Sequence, residues 1–200
     1  MNDKFERVTI TRQQAARQEI DTAIELLLDG GSPVAIEVLT WAAVEMMRGI
    51  AKHQGVETFQ AKMEASVRPE YLKEWREILK GHYNYFKHGD RDPERVASEF
   101  MPEGITYPLF GACCDYQAIF GKLTLAMLVY IGWFFARHPG VLKQDKKDLS
   151  ASLAGHINHP QNKPYGQSLE EVSEIYKLAR QHPEIFVRGL GNEGKIGFEF

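Results

Sequence analysis

The stretch Ile24–Ala43, IELLLDGGSPVAIEVLTWAA, decides the fold. Its first half closes a helix. Ile20, Ile24, Leu27 and Leu28 recur at helical spacing, and Gly30-Gly31 supplies a stop. Its second half opens another. Ser32 suits an N-cap, and Pro33 fits the first helical position, where a missing N–H leaves no bond unmade. Two helices joined by a Gly-Gly-Ser link should form an antiparallel hairpin.

Upstream, Thr11 with Gln14 three residues later makes a capping box, which places the first helix at about 11–29. Downstream, the segment from Val34 to Lys52 is apolar over most of its circumference. Glu37, Glu45, Arg48 and Lys52 fall with Trp41 in one stripe under about 100° wide. This predicts a deeply packed helix with a narrow solvent stripe and a Glu45–Arg48 pair. A polar pocket lined by Glu37, Glu45 and Arg48 is the alternative. A shorter helix is expected over 57–66, and another opens at Pro69 and runs to about Phe86. Leu72, Trp75, Ile78, Leu79, His82 and Phe86 line one face of it, and Lys80, Asn84 and Lys87 the other.

Gly89–Pro93 reads as a loop, 93–100 as a short helix and 101–108 as loop again. The segment 115–137 reads as one long, almost wholly apolar helix closed by His138-Pro139-Gly140. Residues 144–167 are polar and broken by Pro160 and Pro164. A last amphipathic helix is expected at 168–182. Ile185-Phe186-Val187 and Ile196-Gly197-Phe198 flank a glycine-rich turn and predict a small hairpin. The fold class is all-α: a single domain over 1–200, with a helical bundle at about 11–182 and a C-terminal β-hairpin or irregular tail at 183–200. The second helix and the 115–137 helix are expected at its centre.

Composition agrees with a packed domain. The 200 residues are 44% hydrophobic and 26% charged, which excludes a disordered chain and a disulfide-scaffolded miniprotein. The net charge of −3 gives no global field favouring nucleic acid or acidic lipid, though a local basic patch is compatible with it. The longest apolar run, Leu123–Ala136, is shorter than a standard membrane span, so no membrane association is expected. The charged N-terminus lacks the apolar core of a signal peptide, and Cys113 and Cys114 are adjacent and poorly placed to pair. A cytoplasmic location is the resulting expectation.

No Walker A loop, Gly-x-Ser-x-Gly elbow or Cys-x-x-Cys pair occurs. Gly189–Gly194 matches Gly-x-Gly-x-x-Gly, yet no helix follows to hold a pyrophosphate, so it reads as a hairpin turn. His156 and His159, with Asp145 and Asp148 upstream, read as surface loop rather than a metal site. Neither a cofactor nor a metal is expected.

Chemistry concentrates in Arg76–Pro93, REILKGHYNYFKHGDRDP. Its bland reading is a helix end that favours the cations Lys87 and His88, followed by a loop in which Asp90, Arg91 and Asp92 pair and cap. Its functional reading is RNA cleavage. A histidine, His82 or His88, moves the proton, and Arg76 stabilises charge on the phosphorane-like transition state. Asn84, Lys87, Asp90 and Arg91 would then position substrate. On an unbroken helix Arg76 and His82 point about 120° apart, so they converge only through a helix irregularity or across a dimer interface.

The block Asn84–Pro93, NYFKHGDRDP, resembles the Asn-Phe-Phe-Lys-His-Ala-Asp-Arg-Asp-Pro block of a family of uncharacterised small bacterial proteins, departing from it at Tyr85 and Gly89. The first two helices also resemble that family, and the likeness covers about the first half of the chain. More distantly, Arg-x5-His near a helix end is similar to the HEPN superfamily. That resemblance implies a helical bundle, frequent homodimerisation and, in many members, metal-independent RNA cleavage of toxin or defence type. The alternative from another class is a non-catalytic interaction or oligomerisation module. A third is small-molecule binding in the core of the bundle, which the apolar central helices permit.

Overall fold

The computed structural model describes residues 8–88, 94, 100–138, 168–182 and 197–199. The fold is an all-α bundle, with seven α-helices and two three-residue strands among the described residues.

Helix α1, Arg12–Leu28, starts on the expected capping box: the Thr11 hydroxyl accepts from the Gln14 amide, and the Gln14 side chain accepts from the Thr11 amide. It ends in a Schellman turn. Gly30 has φ 67°, and the amides of Gly31 and Gly30 donate to the carbonyls of Leu26 and Leu27. Helix α2, Pro33–Gln54, starts at Ser32, whose hydroxyl accepts from the Ala35 amide. The two pack along their length as the predicted hairpin.

Helix α3, Phe59–Ala65, is short and capped by Thr58. A 3₁₀ turn at Pro69–Tyr71 leads into α4, Leu72–Lys87, which is unbroken and packs against α2.

The next region corrects two expectations. Residues 101–108 are not loop: Pro102–Ile105 form a 3₁₀ turn, and α5 runs from Thr106 to Phe120. Pro108 lies in the first turn of α5, where its absent N–H would have had no intrahelical partner. Nor is 115–137 one helix. Gly121 closes α5 in the left-handed conformation at φ 69°, Lys122–Thr124 form strand β1, and the Thr124 hydroxyl caps α6, Leu125–Arg137. Ser168 caps the last helix, α7, Leu169–Gln181. Strand β2, Gly197–Glu199, pairs in parallel with β1, Leu123 opposite Phe198. The expected hairpin partner 185–187, the glycine turn 189–194, the 93–100 helix apart from residues 94 and 100, and the polar segment 144–167 lie outside the described residues.

The core lies between α1, α2, α5 and α6 and is built on Ile20, Ile24, Met47, Leu109, Tyr116, Met127, Tyr130 and Phe134. Each such side chain contributes roughly 1.5–3 kcal/mol of burial. Helix α7 closes one side through Val172 and Tyr176, whose hydroxyl donates to Glu25 at 2.8 Å. Among the described residues no helix is long and apolar enough to cross a membrane.

One internal bond ties the start of α5 to α6. The buried Tyr130 hydroxyl donates to the Thr106 carbonyl at 2.6 Å. Tyr130→Phe keeps the ring and removes the donor, and is expected to cost about 1–2 kcal/mol. Urea unfolding checks this: the midpoint should fall with the slope unchanged, and an unmoved midpoint would refute it.

Candidate functional site

The apolar face of α4 does not pack solidly into the core. Trp75, Ile78, Leu79 and His82 face Glu37, Trp41 and Val44 of α2 and the Tyr107–Asp115 stretch of α5 across a cavity of about 620 Å³, with Phe59, Gln60 and Met63 of α3 at its side. That volume falls within the range of small-molecule sites. Ile78 is 66% exposed and Met101 72%, so the mouth of the cavity is rimmed by apolar side chains.

The α3 wall is positioned by α5. The Phe59 amide, in the first turn of α3, donates to the Asp115 carboxylate. The Phe59 ring lies over Gly111, where a Cβ would come within 2.9 Å of it, so this close approach requires glycine. Asp115 is buried, and desolvation lifts its pKa to about 6 against the Phe59 hydrogen bond and the charge of Lys62. Its first role is therefore to anchor α3.

Glu37 is 5% exposed. Its Oε1 accepts from Trp41 Nε1 at 3.0 Å, one helical turn along α2. Desolvation raises its pKa, while the Trp41 bond and the attraction of His82 oppose the rise. The His82 ring lies edge-on to Phe100, with centroids 5.1 Å apart. The site thus holds a buried carboxylate, a nearby imidazole and mainly apolar walls. Carboxyl groups with environmentally raised pKa values inside a cavity are a mark of functional sites.

The residues singled out from the sequence separate into groups. His82 lines the cavity. Arg76 is outside its described lining, is exposed, and donates from Nη2 to Glu64 Oε2 of α3 at 2.7 Å. Because α4 is continuous, the angular separation expected of Arg76 and His82 persists, and one chain does not bring them to a common point. His88 is the C-cap residue of α4, its amide donating to the Asn84 carbonyl. The Asn84 side chain is exposed. Lys87 reaches Glu45 at 3.2 Å and lies over the Tyr83 ring. Asp90 and Arg91, like Asp92, lie outside the described residues.

The stripe on α2 also differs from expectation. Glu45 is held by α4 rather than by Arg48: Lys87, the Tyr83 hydroxyl and Lys80 converge on it. Burial pushes the Glu45 carboxyl up, but these partners together overcome it and hold its pKa below the usual value. The docking of α4 buries Glu37 and Trp41, while Glu45, Arg48 and Lys52 keep the exposure expected of the stripe.

Among the described residues no three His, Cys, Asp or Glu side chains are grouped to hold a metal ion. Comparison with protein-family models, curated proteins and solved structures finds no match to this chain.

Proposed function

We propose that the chain binds a small, predominantly apolar molecule in the cavity between α2, α4 and α5, with Glu37 and His82 as the polar anchor. The observation that carries this reading is the cavity of about 620 Å³ with a buried carboxylate and an imidazole in mainly apolar walls. Ligand sites combine this kind of apolar volume with a few placed polar groups.

RNA cleavage would need Arg76 and a histidine at one phosphodiester. Arg76 is held by Glu64 outside the cavity, His82 lies in walls with little attraction for a polyanion, and His88, at the end of α4, stands about 18 Å along the helix from Arg76. The geometry therefore favours ligand binding over the ribonuclease reading.

The test is a titration with the neutral fluorophore N-phenyl-1-naphthylamine. One saturable site of about micromolar Kd is expected, equivalent to roughly −8 kcal/mol. Val44→Phe fills the cavity and should weaken binding by about tenfold or more, with no more than about 3 kcal/mol of overpacking cost. Gly104→Leu adds bulk at a lining residue whose Cβ position is open, and should also weaken binding. Equal dye binding by wild type and both variants would overturn the reading. So would cleavage of an RNA pool in EDTA that is lost in Arg76→Ala and in either His82→Ala or His88→Ala.

A further inference from the structure

We infer that the ligand carries a basic nitrogen, bound as an ammonium beside Glu37 with its aromatic or aliphatic body in the cavity. This rests on the ligand-binding reading above and adds the charge of the ligand to it.

The first argument is the sign of the site. The ionisable groups of its described lining are two carboxyls, Glu37 and Asp115, one imidazole, His82, and one phenol, Tyr107, with no lysine or arginine. Lys80, the ammonium nearest Trp41, is drawn to Glu45, and Lys62 is coupled to Asp115. An anionic ligand would add a charge of the same sign as both carboxylates in a poorly solvated space. A neutral ligand would leave desolvated Glu37 with only the Trp41 donor and the attraction of His82 to offset its charge. A carboxylate has about four acceptor positions. Trp41 supplies the one hydrogen bond Glu37 receives among the described residues.

The second argument is the chemistry of the walls. Trp41, Phe59, Trp75, Tyr107 and Phe110 line the cavity. Aromatic faces carry a negative quadrupole and attract ammonium groups, most strongly when water is excluded. Carboxylate and rings therefore select the same ligand charge.

The protein already uses this combination next door. Glu45 receives Lys80 and Lys87, with the Lys80 ammonium 4.8 Å from the Trp41 ring centre and the Lys87 ammonium 5.1 Å from that of Tyr83. One acid and two aromatic rings of the α2–α4 contact thus hold two of the protein's own ammonium groups, Lys80 largely covered and Lys87 exposed. Glu37 and the cavity rings offer a comparable setting with no lysine in it. The exposed apolar rim, Ile78 and Met101, gives the ligand's body a path inward.

The experiment is calorimetric titration of the full chain at pH 7 with three probes that share one ring system: 1-naphthylmethylamine, 1-naphthylmethanol and 1-naphthoate. The ammonium should bind about tenfold tighter than the alcohol, and the naphthoate most weakly, as charge-assisted and cation–π contacts predict. Glu37→Gln keeps an oxygen for Trp41 and should reduce the ammonium's affinity about tenfold, while the alcohol's changes less than about threefold. The wild-type series alone decides the sign of the ligand, so the inference survives a variant that fails to fold. Alcohol or naphthoate binding as tightly as the amine would overturn the ammonium inference and leave the binding cavity standing. No binding by any of the three, together with no dye binding, would overturn both.

Discussion

The protein is expected to be more stable at pH 5 than at pH 7.5, by about 3 kcal/mol, which at this size corresponds to roughly 6–12 °C in Tm. Two desolvated aspartates, Asp115 buried and Asp21 half-buried, set the sign. Desolvation lifts Asp21 from 3.8 to about 6 despite Thr124 and Arg17, and lifts Asp115 from 3.8 to about 6 despite the Phe59 amide. A carboxyl whose pKa is higher folded than unfolded binds more protons in the native state between the two values. Stability from such a group is complete below the unfolded pKa and is lost as pH rises through the folded one. Across the full window each aspartate accounts for roughly 3 kcal/mol, and about half of that falls between pH 5 and 7.5. Glu19 and Glu37, also raised by desolvation, act in the same direction. His138, lowered by desolvation and by Arg137, opposes them, being easier to protonate unfolded. Glu45 and Glu64 are lowered, so their contribution is present above the usual glutamate value and lost in more acidic solution. Stability should therefore still be rising as pH falls through 5 and should level off only as pH nears the unfolded aspartate value of 3.8, where the losses at Glu45 and Glu64 set in. Thermal scans across pH 3.5–8 test it, and Asp21→Asn and Asp115→Asn should each remove about half of the decline. A Tm that is flat or rises from pH 5 to 7.5 contradicts the assignment.

Where the sequence reading agrees with the structure, a local signal sufficed. Thr11, Ser32 and Ser168 each cap a helix within a few residues of the expected start. Their hydroxyls act on backbone three residues away, so the information is contiguous. The apolar run through 123–136 reads as one helix for the opposite reason. Burial is common to α5, β1 and α6, and hydrophobicity does not distinguish a buried helix from a buried strand. The break signals, Gly121 as a left-handed stop and Thr124 as a cap, are single residues within a continuous apolar pattern.

The site was legible in parts and not as a whole. His82 was visible as a polar residue on the apolar face of α4, and Glu37 as a charge one turn before Trp41. That they face one cavity follows from the docking of α4 on α2, which no local pattern records. Asp115 shows the same division. The sequence places it at the start of a helix. It does serve a helix start, but that of α3, 56 residues earlier in the chain. Arg76 fails to join His82 because α4 contains no irregularity between them. Regular helix geometry sends the two side chains to different neighbours.

Trp41→Ala is expected to be among the most damaging single substitutions in the α2–α4 contact, costing about 3–5 kcal/mol of a stability that is typically 5–15 kcal/mol. Trp41 is 2% exposed, stands 6.4 Å from the Tyr83 ring, lies under the Lys80 ammonium and donates to Glu37. Truncation removes all four functions together and merges the vacated volume with the cavity. Trp41→Phe separates them. It keeps most of the packing and the ring for Lys80 but leaves the Glu37 carboxylate without the Trp41 donor, for about 1–3 kcal/mol. The lost donor also raises the Glu37 pKa further, which moves part of the penalty into the pH dependence. Protonation removes the charge that the Trp41 donor serves, so the deficit of the Phe variant should be smaller at pH 5 than at pH 7.5. The Ala variant should remain well below wild type at both. Urea midpoints for the three proteins at the two pH values give six numbers. If Trp41→Phe costs the same at both, the hydrogen bond to Glu37 is energetically idle and packing alone holds α4 to α2.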